Sequence, residues 1–233
     1  MRPILTALAL LLFTAACSPR LSNGLRVSDL NKDVELVTSK GTIVIRLSDS
    51  TPLHRDNFIR LVKQKFYDSI LFHRVINQFM VQAGDPNSKR ATAEQSLGSG
   101  GPGYTVPAEI RTTLFHKKGV IAAARTGDNV NPLRASSGSQ FYLVQGKVFT
   151  DAGLDSVEQF RLNGRKIPPE HREVYKTLGG TPHLDLSYTV FGEVVRGTEV
   201  IDSIAAVPTN RQRGDRPITD VRIIRARLIK RSN

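Results

Sequence analysis

Short apolar segments separated by turn residues dominate the chain from residue 33 onward. Residues 34–38 (VELVT) alternate between apolar and polar positions, and residues 42–47 (TIVIRL) follow directly after a Ser-Lys-Gly turn, so together they predict a β-hairpin. Similar patterns predict further strands at 70–75, 81–83, 119–124, 141–145, 190–195 and 218–228. Because the strands are many and short, we expect a mostly antiparallel β-barrel.

Two segments between the strands show the spacing of a helix instead. Thr51 and Pro52 are suited to the cap and the first position of a helix, and apolar residues then recur at helical intervals over residues 58–66. Residues 200–206 predict a second helix. Each apolar face needs a partner surface, so we expect both helices to pack against the barrel.

Residues 153–180 interrupt this order of strands and turns. The stretch is charged, rich in helix-forming residues and bounded by glycines, and Pro169 followed by Glu170 predicts a short helix that ends at Leu178. We expect a partly helical insertion on the exterior of the barrel and not a separate domain. A partner surface, a lid and a plain surface loop all stay open as its role.

The first residues of the chain have the order of a secretory signal. Arg2 precedes an apolar run from Ile4 to Phe13, which is too short to span a bilayer, since a transmembrane helix needs about 20 residues. The small residues that follow end at Cys17, the single cysteine, and this resembles a bacterial lipoprotein signal. Thr14 departs from the resemblance, because such signals usually carry an aliphatic residue at that position.

The resemblance divides the amino-terminal part of the chain. It implies that residues 1–16 are a lipoprotein signal peptide, that Cys17 is acylated, and that residues 17–32 form a lipidated tether. The protein would then be exported and anchored by its lipid to a bacterial envelope membrane, facing the periplasm. Ordinary signal cleavage with an inert cysteine is the alternative.

Composition and charge narrow the classes of partner. The 233 residues include 33 Lys and Arg against 21 Asp and Glu, which gives a formal charge of +12. Such a basic chain suggests nucleic acid, but the export signal argues against it. A solvated basic surface, or attraction to anionic head groups near the anchor, is the better interpretation. We expect a monomer, because the barrel needs no partner to complete its core.

Motifs that hold metals or cofactors are missing or incomplete. The five histidines include no pair at metal-ligand spacing, and one cysteine excludes both a disulfide framework and a multi-cysteine metal site. The glycine-rich stretch 98–103 lacks the following Lys-Ser/Thr and helix that a phosphate loop requires. We therefore expect neither a metal nor a cofactor.

Polar residues inside an apolar run mark the strongest candidate site. Residues 72–85 read FHRVINQFMVQAGD, in which Arg74 and Gln82 interrupt a segment that otherwise predicts burial. A buried guanidinium needs partners, because an unpaired buried charge is costly. Taken alone, the run is explained most simply by a structural pair between Arg74 and a carboxylate.

The same run resembles the signature of the cyclophilin family of peptidyl-prolyl cis–trans isomerases. Every fixed position of the family pattern F-H-R-V-I-x-x-F-M-x-Q-x-G-D is met from Phe72 to Asp85. Further blocks match at 138–142 and 181–192 in the same order, so the resemblance covers roughly residues 33–230. It implies a mainly β fold: a closed antiparallel eight-stranded barrel capped by two helices.

The resemblance also implies a role for each site residue. Arg74 would donate a hydrogen bond to the prolyl nitrogen as the amide twists, Gln82 would orient the guanidinium, and Gln140 would bond to the substrate backbone. The other substrate-binding positions that the family implies are Phe79, Met80, Ala124, Arg125, Thr126, Tyr142, His183, Leu184 and Tyr188. The substrates would be X-Pro segments of exported polypeptides as they fold.

Some of these positions depart from the familiar family pattern. Tyr142 stands where many members carry Phe, His183 where the best-known members carry Trp, and Tyr188 where a pocket His is common. Arg125 replaces a usual Asn, but the family uses the main chain there, so we expect little loss. A second hypothesis stays open: a cyclophilin-like binding or chaperone module for X-Pro segments or an envelope partner, with little turnover.

Overall fold

The computed structural model describes residues 24–231, in which short strands predominate. The strands are β1 (Lys32–Thr38), β2 (Gly41–Leu47), β3 (Arg74–Ile76), β4 (Met80–Ala83), β5 (Thr105–Val106), β6 (Val120–Ala123), β7 (Ser136–Ser137), β8 (Phe141–Val144), β9 (Val190–Arg196), β10 (Thr209–Asn210), β11 (Arg216–Pro217) and β12 (Ile223–Lys230). The α-helices are α1 (Val27–Leu30), α2 (Pro52–Lys63), α3 (Asp151–Phe160), α4 (Pro169–Thr177) and α5 (Thr198–Ala205). The predicted hairpin is β1–β2, and the two predicted packing helices are α2 and α5.

The main sheet has eight strands in the order β12-β1-β2-β9-β6-β8-β4-β3, and each neighbouring pair is antiparallel. This sheet is open, so the prediction of a closed eight-stranded barrel is wrong in that respect. Its edges, β3 and β12, approach each other through irregular backbone. There the Phe72 amide donates to the Val221 carbonyl (2.8 Å) and the Ile223 amide to the Ile70 carbonyl (2.8 Å).

The segment before β3 pairs with the residues at the start of β12 only through an isolated bridge between Leu71 and Arg222. The sequence predicts a strand over 70–75, whereas β3 begins only at Arg74. Ser69 has a φ of 68°, which departs from strand geometry, and the Leu71 amide points away from Arg222 and donates to the Ser88 hydroxyl (3.0 Å). At the other edge, β12 begins at Ile223, later than the predicted start at 218.

Strands β4, β6 and β8 bury both of their faces. On one face Val81, Ile121 and Leu143 join the main apolar cluster, which also includes the inner residues of α2 and α5. On the other face a smaller cluster forms from Met80, Val120, Ala122, Tyr142, Val144 and Val190. Because side chains alternate along a strand, one sheet supports the core on one side and a separate apolar surface on the other.

The predicted cap of α2 is wrong in detail. Thr51 does precede Pro52 at the helix start, but its side chain makes no capping bond to the helix. Instead Glu109 accepts hydrogen bonds from the amides of Leu53 (3.1 Å) and His54 (2.9 Å). A carboxylate from a distant part of the chain thus satisfies amides that a helix leaves unpaired at its start.

The insertion predicted at 153–180 is a pair of helices, α3 and α4, with a small apolar core of its own. That core consists of Leu154, Leu162, Ile167 and Tyr175, with Phe115, Phe149 and Val157 packed against it. α3 begins at Asp151, before the predicted boundary, and α4 ends at Thr177, next to the predicted end. Since Phe115 and Phe149 belong to the body of the domain, the insertion is packed onto that body.

The predicted signal peptide, Cys17 and the first part of the predicted tether lie outside the described residues. The rest of that tether packs on the domain: Leu25 is buried in the main apolar cluster, and Asp29 accepts a hydrogen bond from Lys63 Nζ (2.5 Å). Residues 25–30 therefore belong to the folded domain and not to a free tether. Over residues 24–231, no helix is long and apolar enough to cross a bilayer.

Candidate active site

Strand register brings together the polar residues of the signature run. β3 and β4 pair with Arg74 opposite Gln82, and β4 and β8 pair with Gln82 opposite Tyr142. Because side chains alternate between faces, these three residues and Met80 lie on the same side of the sheet, while Val81 points into the main core. The interruption of the apolar pattern thus marks the surface opposite the main core.

A series of side-chain hydrogen bonds orients Arg74. Gln140 Nε2 donates to the carbonyl oxygens of Gly98 (2.9 Å) and Gly100 (2.8 Å), which leaves its Oε1 to accept from Gln82 Nε2 (3.0 Å). Gln82 Oε1 in turn accepts from a terminal nitrogen of Arg74 (3.4 Å). Each amide is held in one orientation, with the acceptor oxygen of Gln82 toward the guanidinium.

The nearest carboxylate does not form a close pair with Arg74. Asp215 Oδ2 lies 4.0 Å from Arg74 Nε, at the limit of an ion pair, and the arginine side chain is 42% exposed. The structural ion pair considered from the sequence is therefore weak, since exposed pairs contribute little. The guanidinium has five N–H donors and so retains donors for a ligand.

Arg74 and the apolar residues of the run line one cavity of about 440 Å³. Among the predicted site residues, those on this cavity are Arg74, Phe79, Met80, Gln82, Ala124, Arg125, Tyr142, Leu184 and Tyr188. The cavity is therefore a slot that has apolar side chains along part of its wall and a cation and an amide at its side.

A second cavity of about 760 Å³ adjoins the first. The residues common to both are Gln82, Gly98, Ser99, Ala124 and Arg125. The predicted residues Thr126 and Gln140 line this second cavity, not the first. Together the two cavities form a groove that has room for residues next to the one bound in the apolar slot.

Arg125 keeps its charge away from the groove. Its guanidinium side chain is 5% exposed, donates to the Ser187 carbonyl (2.8 Å), pairs with Asp128 (2.5 Å) and lies over the Tyr188 ring at 4.5 Å. These contacts fix the wall that carries Tyr188.

His183 is not among the residues that line the apolar slot. Its ring stacks on Phe79, with centroids 5.5 Å apart, and so supports a residue that does line it. Burial lowers the pKa of His183 to about 4, and Arg161 and His116 act in the same direction. The imidazole is therefore neutral near pH 7 and packs as an aromatic ring.

The slot also includes residues that the sequence did not predict: His73, Leu97, Gly98, Ser99 and Gly214. His73 adjoins Arg74 in the signature run, so its place in the run was a usable sign. Burial lowers the pKa of His73 to about 4, an effect that Asp85 opposes and Arg74 reinforces. Gly98 belongs to the stretch set aside as an incomplete phosphate loop, and Gly214 has no local sequence sign at all.

The polar groups of the groove are suited to hydrogen bonding. They consist of a guanidinium, side-chain amides, neutral imidazole and backbone carbonyls, in a slot whose other walls are apolar. Within the part of the chain that the structure describes, no group of three or more His, Cys, Asp or Glu residues is placed to hold a metal ion. The arrangement can therefore bind an apolar ring and polarise an atom beside it through an N–H donor.

Comparison with known proteins gives the family of the chain. The family model "Cyclophilin type peptidyl-prolyl cis-trans isomerase/CLD" matches residues 33–228. A Staphylococcus epidermidis protein named "Putative peptidyl-prolyl cis-trans isomerase" is 34% identical over 200 residues, covering 82% of this chain and 92% of that protein. A Staphylococcus aureus protein of the same name is 33% identical with the same coverage.

Solved structures extend the likeness to the fold. A cyclophilin-type isomerase of Cryptosporidium parvum superposes with a TM-score of 0.60 at 20% identity, over 87% of this chain and 98% of that one. The chain belongs to the cyclophilin family. It is an enzyme of the peptidyl-prolyl cis–trans isomerase class.

Proposed function

We propose that Arg74 catalyses X-Pro isomerisation by donating a hydrogen bond to the prolyl nitrogen. The observation that carries this proposal is the guanidinium at the side of an apolar slot, oriented by Gln82 and at the limit of ion pairing with Asp215. A pyrrolidine ring in the slot would place its nitrogen beside a free N–H donor. Tyr142 and Leu184 would contact the ring from the apolar walls.

The energetics of the peptide bond explain why one donor matters. Rotation must cross about 18–20 kcal/mol, because the nitrogen lone pair is delocalised into the carbonyl. A hydrogen bond to that nitrogen is strongest when the amide is twisted and the lone pair is localised, so it stabilises the transition state more than either isomer. Each tenfold gain in rate needs about 1.4 kcal/mol, which is within the range of one charge-assisted bond.

The main chain beside the groove would hold the substrate. The Ala124 amide already donates to the Gln140 carbonyl (3.0 Å), and the Ala124 carbonyl accepts from the Ser137 amide (2.8 Å). Backbone pairing with a substrate would therefore fall to Arg125 and Thr126. Both Nε2 hydrogens of Gln140 are engaged with Gly98 and Gly100, so Gln140 would act on substrate through its remaining Oε1 lone pair.

The test measures the isomerisation rate of a short Ala-Pro-Phe peptide by NMR exchange. The enzyme is a chain of residues 21–233. That chain includes all described strands, helices and apolar clusters. We expect Arg74→Ala to lower the rate constant about 100-fold or more, as for loss of one transition-state donor. Arg74→Lys should recover part of it, because lysine retains the charge without the planar fork.

Arg196→Ala is the matched control, since Arg196 is exposed at the end of β9. It should isomerise the peptide at the wild-type rate. An Arg74→Ala chain that is folded and as active as Arg196→Ala would contradict the mechanism. A wild-type chain that binds the peptide but does not turn it over would instead support the binding-module hypothesis.

We further propose that the enzyme acts on exported polypeptides while anchored by a lipid on Cys17. The order of charged, apolar and small residues before Cys17 supports this. The seven peptide units between Cys17 and Gly24 span at most about 25 Å, so the anchor would hold the domain close to the membrane surface. We propose a monomer without nucleic acid as a partner, because the apolar clusters are buried within one chain.

A further inference from the structure

A buried chain of polar groups joins the insertion to the wall of the apolar slot. Tyr175, on α4 of the insertion, donates from its hydroxyl to Asp185 Oδ2 (2.7 Å). Asp185 Oδ1 lies 3.0 Å from His116 Nδ1, and His116 Nε2 lies 3.0 Å from the Tyr142 hydroxyl. Tyr142 lines the slot, so these contacts form a continuous path from the insertion to the site.

The direction of every hydrogen bond in this chain can be assigned. Asp185 Oδ1 also accepts from the His116 amide (2.8 Å), so its carboxylate faces donors on each side. His116 Nδ1 then donates to this carboxylate, and in the neutral tautomer Nε2 accepts from the Tyr142 hydroxyl. Burial raises the pKa of both the Tyr142 and Tyr175 hydroxyls, so they remain protonated donors.

These four groups are too buried for water to replace a lost hydrogen-bond partner. His116 and Tyr175 are 0% exposed, Tyr142 is 4% exposed and Asp185 is 7% exposed. Loss of a donor to a buried carboxylate leaves it underpaired, which is costly in a low-dielectric setting. The position of each group is therefore determined by the next, and Leu184, the neighbour of Asp185, also lines the slot.

Further contacts fix the insertion at the same place. Arg165, between α3 and α4, donates to the Asp185 carbonyl (2.7 Å). At the end of the insertion, a Cβ on Gly180 would lie 2.2 Å from the His116 carbonyl oxygen, so only glycine allows this close approach. The next amide, that of Thr181, donates to the same carbonyl (2.8 Å). The insertion is attached at both His116 and Asp185.

We propose that the insertion is a fixed brace of the proline slot, and that Tyr175, Asp185 and His116 are positioning residues that hold Tyr142 and Leu184 in place for substrate. This inference rests on the proposed binding of the prolyl ring in that slot. The insertion is then neither a lid nor a plain surface loop. Two side chains, Asp185 and His116, connect the Tyr175 hydroxyl of the insertion to Tyr142 in the slot.

A double-mutant cycle between the two ends of the chain tests the proposal. Tyr175→Phe and Tyr142→Phe each remove one hydroxyl and keep the ring. We expect each to raise the Kd of the Ala-Pro-Phe peptide about 3- to 10-fold, the net contribution of one hydrogen bond, with a smaller effect on the isomerisation rate of bound peptide. The Kd of the double variant should be about equal to the larger of the two single-variant Kd values, because the two hydroxyls act through one path.

Glu158→Gln provides the matched control within the insertion. Glu158 accepts from Lys166 and Arg172 and has no bond to Asp185, so its loss weakens the insertion without cutting the chain. Its effect should add to that of Tyr142→Phe. Additive effects in the Tyr142–Tyr175 cycle as well, or an unchanged Kd for Tyr175→Phe, would overturn the proposal.

A spectroscopic readout keeps this test separate from the test of the proposed function. The ¹⁵N shifts of His116 should show a protonated Nδ1 and an unprotonated Nε2, and Tyr175→Phe should move both signals without peptide present. Unmoved signals would overturn the brace. A wild-type chain that neither binds nor turns over the peptide, with the signals moving as expected, would count against prolyl binding in the slot and not against the polar chain.

Discussion

Glu109 is the residue whose role is least visible in the sequence and most definite in the structure. Besides the two α2 amides, it accepts from His54 Nδ1 at 2.7 Å, and His54 Nε2 lies 2.9 Å from the Ser136 hydroxyl. Glu109 is 6% exposed, and Ser136 is 1% exposed. Ser136, His54 and Glu109 are arranged in the order of a Ser–His–acid triad. The Ser136 hydroxyl is too buried to reach a substrate, so the three residues have a structural role.

We expect Glu109→Gln to destabilise the domain by about 2–3 kcal/mol. The variant keeps the shape but replaces a charged acceptor of several bonds with an amide whose NH₂ faces N–H donors. Urea unfolding at pH 7 measures the change. Burial lowers the pKa of His54 more strongly than Glu109 raises it, so the histidine is neutral at that pH. The change in unfolding free energy therefore reports the lost hydrogen bonds and not a change in the charge of His54.

Glu193→Gln is the control for that measurement. Glu193 pairs with Lys117 at 2.9 Å, but both side chains are well exposed, so the change should be below about 0.5 kcal/mol. If Glu109→Gln proved no more harmful than Glu193→Gln, the cap on α2 would not be the stabilising contact that its geometry indicates.

At the scale of elements, the insertion depends on an ion cluster around Glu158. The carboxylate is 3% exposed, and it accepts from Lys166 Nζ (2.7 Å), the Ile167 amide (3.0 Å) and Arg172 (2.9 Å). Burial by itself raises the pKa of Glu158, but these donors outweigh it and lower the pKa to about 2. Arg172 also pairs with Asp151, so the cluster spans α3 and α4.

The lowered pKa predicts loss of stability in acid. A carboxyl with a folded pKa below its unfolded value of 4.5 contributes fully above pH 4.5, and the contribution declines as pH falls toward 2. Wild-type unfolding free energy should therefore drop between pH 5 and 2.5. Glu158→Gln should be less stable at pH 5 by about 2 kcal/mol and show a shallower decline. Asp151, whose pKa is also lowered by Arg172 and Lys176, accounts for part of the remaining slope.

Glu173→Gln is the control for this pH profile, because Glu173 is exposed on α4 and pairs there with Lys176. It should leave the pH profile close to that of wild type. Parallel profiles for wild type and Glu158→Gln would show that the buried carboxylate does not stabilise the insertion.

At the scale of the whole molecule, the described domain starts at residue 24, close in sequence to the proposed lipid anchor on Cys17. Leu25 and Asp29 are fixed to the domain, so a lipid on Cys17 would act through a short connection. We expect Cys17→Ser, expressed in a bacterial host that processes lipoproteins, to abolish incorporation of labelled fatty acid and to shift the protein from the membrane to the soluble fraction.

Thr14→Leu is the companion variant for that experiment. It restores an aliphatic residue at the position where this chain departs from lipoprotein signals, so it should be lipidated at least as well as wild type. Fatty-acid labelling that persists in Cys17→Ser would contradict the anchor.

The sequence by itself determined the family and the run of residues that carries the candidate site. The catalytic candidates lie within one contiguous run, and period-two alternation places Met80 and Gln82 on one face of β4, whereas the pairing register adds Arg74 to that face. Local signs were likewise sufficient for β1, β2, α2, α5 and α4. The run's fixed positions were enough to indicate the family, because they are consecutive in the chain.

Only the tertiary structure decided which distant groups meet. Glu109 reaches His54 across 55 residues, and Asp185 reaches His116 across 69, and neither pairing leaves a trace in local spacing. The approach of the β3 and β12 edges depends in the same way on a bridge between Leu71 and Arg222, which are remote in the chain. Buried polar groups must find partners wherever the packed chain supplies them, and packing between remote segments is not encoded in any short stretch of residues.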